Sequence, residues 1–186
     1  MNANKKTLVD IFCGHGGASS GYADAGFAVT GVDVEKSRYY HHDFIQRDDP
    51  LAALAAGEFN VFDVISLSLP NGRCADEVKA VLNGTGRVWV MERAATKRTD
   101  GVTLCGWMFG SPTVRHTTFE SNVLLFGTKH IKHGKALKAK SSLEDWVAAV
   151  GIDWIGNRRI LASETPPFFA AYVGRQVYVA ASMVYP

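Results

Sequence analysis

Charge of one sign, cysteine and long apolar runs are all scarce in this sequence. The 186 residues carry a formal net charge of only +2, whereas a dedicated DNA-binding domain usually shows a clear basic excess. No apolar run approaches the roughly 18 residues of a membrane span. With 47% hydrophobic and 20% charged residues, the composition is that of an ordinary globular protein.

The three cysteines are Cys13, Cys74 and Cys105, and no two of them form a CxxC pair. An odd and sparse set of this kind is not a disulfide framework. We therefore expect free thiols and a cytoplasmic protein.

Lys129 to Lys140 is basic, contains glycine and has few apolar residues, which predicts an exposed loop. A solvated surface and a phosphate contact explain this charge equally well. His130 and His133 lie in the loop, and His41 and His42 are adjacent elsewhere. Because no cysteine or carboxylate cluster accompanies either pair in the sequence, we expect no metal site.

Hydrophobic patterning predicts one α/β domain spanning residues 1–186. A buried strand (Thr7–Phe12), a glycine turn, a helix (Ser19–Ala25) and a strand (Ala28–Val34) form the first βαβ unit of a doubly wound sheet. Further predicted strands are Asp43–Gln46, Val61–Leu67, Arg87–Glu92 and Thr118–Phe126, and further helices are Pro50–Ala56, Asp76–Leu82, one from Ser141 or Ser142 to about Val150, and Phe168–Ala181.

The glycine turn in DIFCGHGG contains Gly14, Gly16 and Gly17. Glycines after a buried strand allow the backbone to approach a cofactor closely. The spacing is not GxGxxG, so the turn fits the methionine part of S-adenosylmethionine at least as well as a pyrophosphate. Asp33 ends the second strand, where a carboxylate can accept hydrogen bonds from ribose hydroxyls, and Val34 beside it is a candidate contact for adenine. The alternative is a structural turn that binds nothing.

The stretch LVDIFCGHGGASSGYADAGFAVTGVDVE resembles the opening of the DNA cytosine-5 methyltransferases, in which the first strand ends in D-[IL]-F-[CAS]-G-x-G-G. The segments LCGWMFG, RHTTFE and GIDWIGNRRILASETPPFFAAYVGRQV resemble later segments of the short bacteriophage members. The resemblance thus covers about Leu8 to Val179. It implies a Rossmann-like S-adenosylmethionine-dependent methyltransferase fold without a target-recognition domain, in a bacterial host cell if the protein is phage-encoded.

The resemblance also implies roles on the cofactor side, for S-adenosylmethionine or S-adenosylhomocysteine. Phe12 would stack on the adenine, Asp33 would hold the ribose, and Asp48 would accept a hydrogen bond from the adenine amino group. Cys13 belongs to the same motif, and we count it with the glycines as a cofactor contact.

The sequence departs from the family where the catalytic cysteine belongs. Pro70 matches the proline of the family's P-C-Q motif, but Asn71 occupies the cysteine position. An amide cannot attack the cytosine ring as a thiolate does. Cys74 lies three residues later, up to ~10 Å along an extended chain, although catalysis tolerates errors nearer ~1 Å. The loop is also short, because the predicted helix already begins at Asp76.

Two further family residues are retained without their neighbours. By resemblance, Glu92 corresponds to the glutamate that contacts the cytosine ring edge, although Arg93 and Ala94 replace the rest of that motif. The alternative role of Glu92 is an ion pair with Arg93 or another neighbour. Arg115 is kept as well, whereas Thr117 stands where the family has a second arginine.

These losses predict a pseudo-methyltransferase that binds S-adenosylmethionine and acts in DNA modification, with DNA or an active methyltransferase as its partner. One alternative is an active DNA methyltransferase with altered chemistry, since Ser68-Leu69-Pro70-Asn71 is weakly similar to the S-P-P-[YW] and N-P-P-[YF] segments of amino-methyltransferases. The other is cytosine-5 methylation with Cys74 as the nucleophile.

Overall fold

The computed structural model describes residues 5–69, 72–95 and 101–185. These residues form one mixed sheet with helices around it. Its strands are β1 (Thr7–Ile11), β2 (Ala28–Asp33), β3 (Asp43–Gln46), β4 (Val64–Ser68), β5 (Val88–Ala94), β6 (Val102–Cys105) and β7 (His116–Ser121). The helices are α1 (Gly17–Asp24), α2 (Pro50–Ala55), α3 (Ala75–Gly84), α4 (Leu143–Val150), α5 (Arg158–Ser163) and α6 (Pro167–Val184), with a 3₁₀ helix at Gly106–Phe109.

The strand order is β3-β2-β1-β4-β5-β7-β6. The first five strands of this order are parallel, whereas β7 runs antiparallel to both β5 and β6. The order reverses direction between β1 and β4, where a doubly wound sheet opens a crevice at the carboxyl ends of its strands. The predicted Rossmann-like α/β class is therefore compatible with the structure, but two antiparallel strands extend the sheet.

Hydrophobic cores cover both faces of the sheet because alternate residues of each strand point to opposite sides. On one face, Leu8 belongs to the core that includes Tyr22 of α1 and Phe169 of α6. On the other face, Val9 belongs to the core that includes Leu54 of α2 and Leu82 of α3. Both cores are fully buried at these residues, which fixes the carboxyl end of β1 between two layers of helices.

Several predicted elements are confirmed with small changes at their ends. The strand Asp43–Gln46 has the predicted bounds, and α4 begins after Ser142, whose side chain accepts a hydrogen bond from the Asp145 N–H. The predicted strand Val61–Leu67 begins too early. Val61 is exposed, and the Asp63 carboxylate instead accepts hydrogen bonds from the backbone and hydroxyl of Thr7.

The antiparallel part of the sheet was predicted least well. The strand predicted at Thr118–Phe126 occupies His116–Ser121, and β6 was not predicted. Asn122 ends β7, because its side chain accepts a hydrogen bond from the Trp89 N–H at 2.9 Å and donates one to the Arg87 carbonyl. The short helix α5 was also missed.

The final helix, α6, extends beyond the predicted Phe168–Ala181 at both ends and packs against α1. It is the longest helix in the described residues, and it contains Arg175. Among the described residues, no helix is long and apolar enough to cross a membrane.

Candidate functional site

The glycine turn lies at the carboxyl end of β1 and has a left-handed backbone at three positions. Gly14 and Gly16 have φ of 54° and 91°, which glycine adopts without steric cost, and Phe12 has φ of 58°. A bulky residue in this region is strained, and the Phe12 N–H is held there by the Val32 carbonyl at 2.8 Å. Backbone strain of this kind clusters at functional sites.

Asp33 connects the turn to the end of β2. Its Oδ2 accepts a hydrogen bond from the Gly14 N–H at 3.0 Å, and its Oδ1 accepts one from the Val34 N–H at 2.8 Å. A carboxylate has about four acceptor positions, so each oxygen retains capacity for a ligand hydroxyl. Asp33 therefore both shapes the turn and presents acceptors beside it.

The segment that follows α5 closes over the glycine turn. A Cβ atom at Gly17 would lie 2.4 Å from the carbonyl oxygen of Thr165, so only glycine permits this approach. Glu164 lies 2.8 Å from Nδ1 of His15 in the turn. The segment directly after α5, here called the closing segment, thus forms one wall of the site.

Two cavities meet at Gly14. The first has a volume of about 240 Å³. Its lining residues come from the turn after β1, from α1, from the ends of β4 and β5, from the residue before β7, and from the end of α5 and the closing segment. They are Phe12, Cys13, Gly14, Ala18, Ser68, Leu69, Glu92, Arg93, Ala94, Arg115, Ser163, Glu164 and Thr165. The second is an open groove of about 480 Å³ lined by Asp33 and by residues 35–38. Together they form a cleft at the topological switch point of the sheet.

Glu92 is the buried carboxyl group of the first cavity. Burial raises its pKa to about 7, the carboxylates of Asp10 and Glu164 add to the rise, and a hydrogen bond from Thr165 and the charge of Arg115 oppose it. Thr165 donates to Oε1, whereas Oε2 has no hydrogen-bond partner in the described part of the chain. A group of this pKa can exchange a proton near neutral pH.

The structure tests one of the ion pairs suggested for Glu92. Arg93 does not pair with Glu92 but with Glu120, at 2.6 Å, and Lys79 contacts the same carboxylate at 3.0 Å. The suggested Glu92–Arg93 ion pair is therefore wrong. Arg93 and Arg115 both line the cavity of Glu92, and the charge of Arg115 opposes the rise in the pKa of Glu92.

Asp10 is a buried carboxyl group that the sequence analysis did not single out. Burial raises its pKa to about 6, and hydrogen bonds from Ser19 and Ser66 oppose the rise. The Ser19 hydroxyl donates to Asp10 at 2.6 Å and accepts from the Tyr40 hydroxyl at 3.1 Å. The sequence did contain a signal for Asp10, because a carboxylate within an apolar strand is expected to be buried. Buried carboxylates with shifted pKa values cluster at functional sites.

The other predicted cofactor residues lie at or near the cleft. Val34 is half exposed beyond β2, and Asp48 is exposed one residue after Arg47, whose N–H bonds to the Asp33 carbonyl. Cys13 lines the first cavity, but it is 5% exposed, and burial raises the pKa of its thiol. It is therefore an inert thiol beside the cleft.

The structure brings together fewer of the residues that the resemblance places beside the methyl-accepting base. Pro70 and Asn71 lie outside the described residues. Cys74 is exposed and immediately precedes α3, which begins at Ala75 rather than at the predicted Asp76. Cys74 is not among the described residues that line the first cavity. Thr117 is buried and lies 3.4 Å from Nε of Arg115.

The expectation that no cysteine accompanies the histidine pairs is wrong for His130 and His133. His130 and His133 do have partners, because the structure places Cys105 and His116 beside them. Sγ of Cys105 lies 3.1 Å from Nε2 of His133. Cys105 and His116 are distant in the sequence from the two histidines, so the spacing of residues along the chain does not reveal the group.

Compared with known families and with curated proteins, the sequence matches no family model and no curated protein. What the fold and the cleft define is an α/β protein with a mixed seven-stranded sheet, compatible with a Rossmann-like fold.

Proposed function

We propose that this chain is a methyltransferase-like protein that binds S-adenosylmethionine or S-adenosylhomocysteine and has lost cytosine-5 methylation. The observation that carries the proposal is the hydrogen bond between Asp33 and the Gly14 N–H, located where the two cavities meet. A doubly wound sheet binds its ligand at this position. A long ligand with a ribose in its centre suits two cavities joined at a narrow turn.

The end of β2 and the turn beside it would supply the contacts that such a ligand requires. Asp33 would accept hydrogen bonds from the ribose, the exposed Val34 would contact the adenine, and Asp48 would accept from its amino group. Phe12 would cover the base from the turn. Bound S-adenosylmethionine would supply an electrophilic methyl group on its sulfonium.

The cavity side supports the loss of cytosine-5 chemistry. That reaction needs a thiolate to attack the ring, and Asn71 stands at the corresponding place in the sequence. Cys74 is exposed ahead of α3, and the Cys13 thiol is buried with a raised pKa. None of these groups is a suitable nucleophile. The protein would then act as a binding or regulatory partner of DNA or of an active methyltransferase.

Calorimetric titration with each of the two ligands tests the binding proposal. We expect saturable binding by the wild-type protein and a roughly ten- to hundred-fold weaker affinity for Asp33→Ala, since a hydrogen bond to a charged group contributes about 1.5–3 kcal/mol. Asp43→Ala is the matched control, because Asp43 is exposed at the opposite end of the neighbouring strand. Folded wild-type protein that binds neither ligand would refute the proposal.

Loss of methylation is tested separately by incubating the protein with labelled S-adenosylmethionine and cytosine-containing DNA. We expect no label at C5 of cytosine. Label at that position that disappears in Cys74→Ser would instead establish Cys74 as the nucleophile.

A second function, methyl transfer with altered chemistry, is favoured by one observation. Glu92 lines the cavity with a raised pKa and an oxygen that lacks a hydrogen-bond partner among the described residues. It could hold or donate a proton at an acceptor base. The same labelled-DNA assay tests this function, because transfer to a base position other than C5 should fall sharply in Glu92→Gln. Equal activity of the variant would remove the argument.

A further inference from the structure

Four side chains with metal-binding atoms converge at the antiparallel edge of the sheet. Cys105 ends β6 and His116 begins β7, and the two residues are directly paired across the strands. His130 and His133 come from the segment after β7. One ligand atom from each of the four lies within 4.8 Å of all the others. We propose that Cys105, His116, His130 and His133 bind one zinc ion.

The distances are close to those of a tetrahedral site. Zinc binds histidine nitrogen at about 2.0–2.1 Å and thiolate sulfur at about 2.3 Å, which puts neighbouring ligand atoms roughly 3.3–3.6 Å apart. Sγ of Cys105 and Nε2 of His133 are already 3.1 Å apart, whereas a pair at the 4.8 Å limit must close by about 1.2–1.5 Å. His130 is exposed, so its side chain is free to move toward the other ligands.

One histidine is already oriented as a ligand by a second hydrogen bond. Nδ1 of His116 lies 2.9 Å from the carbonyl oxygen of Val114. A carbonyl can only accept, so Nδ1 carries the proton and Nε2 keeps its lone pair for the metal. Metal-bound histidines almost always have such a partner, which fixes the tautomer and the direction of the ring.

The donor set selects zinc among the common ions. Calcium and magnesium require oxygen ligands, and no carboxylate is part of this group in the described residues. One thiolate with three imidazoles matches zinc, which favours sulfur and nitrogen donors in tetrahedral geometry. A catalytic Cys–His pair does not fit the same atoms, because Cys105 is fully buried and a substrate could not reach its sulfur.

The proposed site is structural, because four protein ligands leave no open coordination position. Residues 122–142 contain no helix or strand, and a structureless segment of that length is uncommon in a compact domain. The start of the segment is held by hydrogen bonds between the Phe126 backbone and the Gln176 side chain of α6. Farther along, Gly134 packs on the Trp107 ring, and the Leu137 N–H donates to the Pro112 carbonyl at 2.9 Å. Zinc would tie the middle of this segment to β6, the last strand in the sheet order.

Metal analysis and cobalt substitution of the full chain test the proposal. After exposure to zinc and removal of the excess, the wild-type protein should retain one zinc ion per chain. Cobalt in the metal-free protein should give the thiolate-to-cobalt charge-transfer band and the intense visible bands of a tetrahedral site. Wild-type protein that retains no zinc, or a cobalt spectrum without the thiolate band, would overturn the proposal.

Variants of Cys105 and of the two histidines after β7 identify the ligands. Cys105→Ser should abolish the charge-transfer band, whereas Cys74→Ser, which alters an exposed thiol elsewhere, should leave it unchanged. Because Cys105 is buried and its variant can misfold, the double variant H130A/H133A in the exposed segment provides a second test and should lose zinc.

The double variant H41A/H42A is the matched histidine control and should keep the metal. Zinc retained by H130A/H133A, or lost equally by H41A/H42A, would contradict the assignment. None of these measurements depends on binding of S-adenosylmethionine.

Discussion

The two ends of this sheet bring together reactive side chains in different ways. At the cleft, β1, β2 and β5 end on the same side, so Gly14, Asp33 and Glu92 meet because parallel strands align their carboxyl ends. At the antiparallel edge, a cross-strand pair joins Cys105 to His116, and a long segment returns to supply the other two histidines. The first arrangement follows from a repeated architecture, whereas the second depends on the path of a single segment.

Buried carboxyl groups of the sheet differ in electrostatic cost. The cleft buries carboxyl groups at Asp10 and Glu92 whose pKa values are raised by burial, so their charged forms oppose folding. The buried Glu120 of β7 is instead paired with Arg93 and Lys79, so two cations compensate its charge.

The largest predicted effect is on the pH dependence of folding, measured for Glu92→Gln. Burial raises the pKa of Glu92 from its ordinary 4.5 to about 7, so the folded state holds a proton that the unfolded chain has lost between these values. The unfolding free energy therefore falls as pH rises through this window. Glutamine carries no charge, and we expect the variant to be more stable than the wild type by roughly 3 kcal/mol at about pH 8.

Denaturant unfolding across the pH range measures this difference, which should vanish at about pH 4 because the wild-type carboxyl is then protonated in both states. Glu144→Gln alters an exposed glutamate and should leave the pH dependence as it is. Equal stability of Glu92→Gln and the wild type at every pH would show that the charged form of Glu92 does not destabilise the folded state.

A smaller effect is expected where the closing segment touches the glycine turn. In Gly17→Ala the new Cβ would lie 2.4 Å from the Thr165 carbonyl oxygen, so the backbone must move. Overpacking of this kind costs about 2 kcal/mol, and the displaced turn should also weaken ligand binding. Thermal unfolding and calorimetry measure the two consequences.

Gly156→Ala is the control for Gly17→Ala, because no atom lies within 4 Å of a Cβ at Gly156. It should change stability by less than about 0.5 kcal/mol. Identical unfolding of the two alanine variants would mean that the closing segment does not hold the turn.

The smallest effect is expected at the start of α4. Ser142→Ala removes the hydrogen bond from the Asp145 N–H to the Ser142 hydroxyl, 3.0 Å in length. Loss of a helix cap of this kind costs about 1 kcal/mol, and the effect should not extend to ligand binding at the cleft. Ser141→Ala is the matched control, and a loss of stability as large as that of Ser142→Ala would contradict the cap.

The cleft could be predicted in good part because its signals are local. An apolar strand followed by Gly14, Gly16 and Gly17 has few conformations available, and Asp33 at the end of the next strand is then close to the turn by topology. Asp10 was overlooked although it interrupts an apolar strand. Thr165 could not be predicted, since its contact with Glu92 joins positions 73 residues apart.

The sequence by itself determined the α/β class and the glycine turn with Asp33, because each depends on neighbouring residues or on a short periodic pattern. Only the tertiary structure decided that β7 runs antiparallel, that Arg93 pairs with Glu120 rather than with Glu92, and that Cys105 lies beside His133. These contacts depend on how distant segments pack, and the spacing of residues along the chain does not predict that packing.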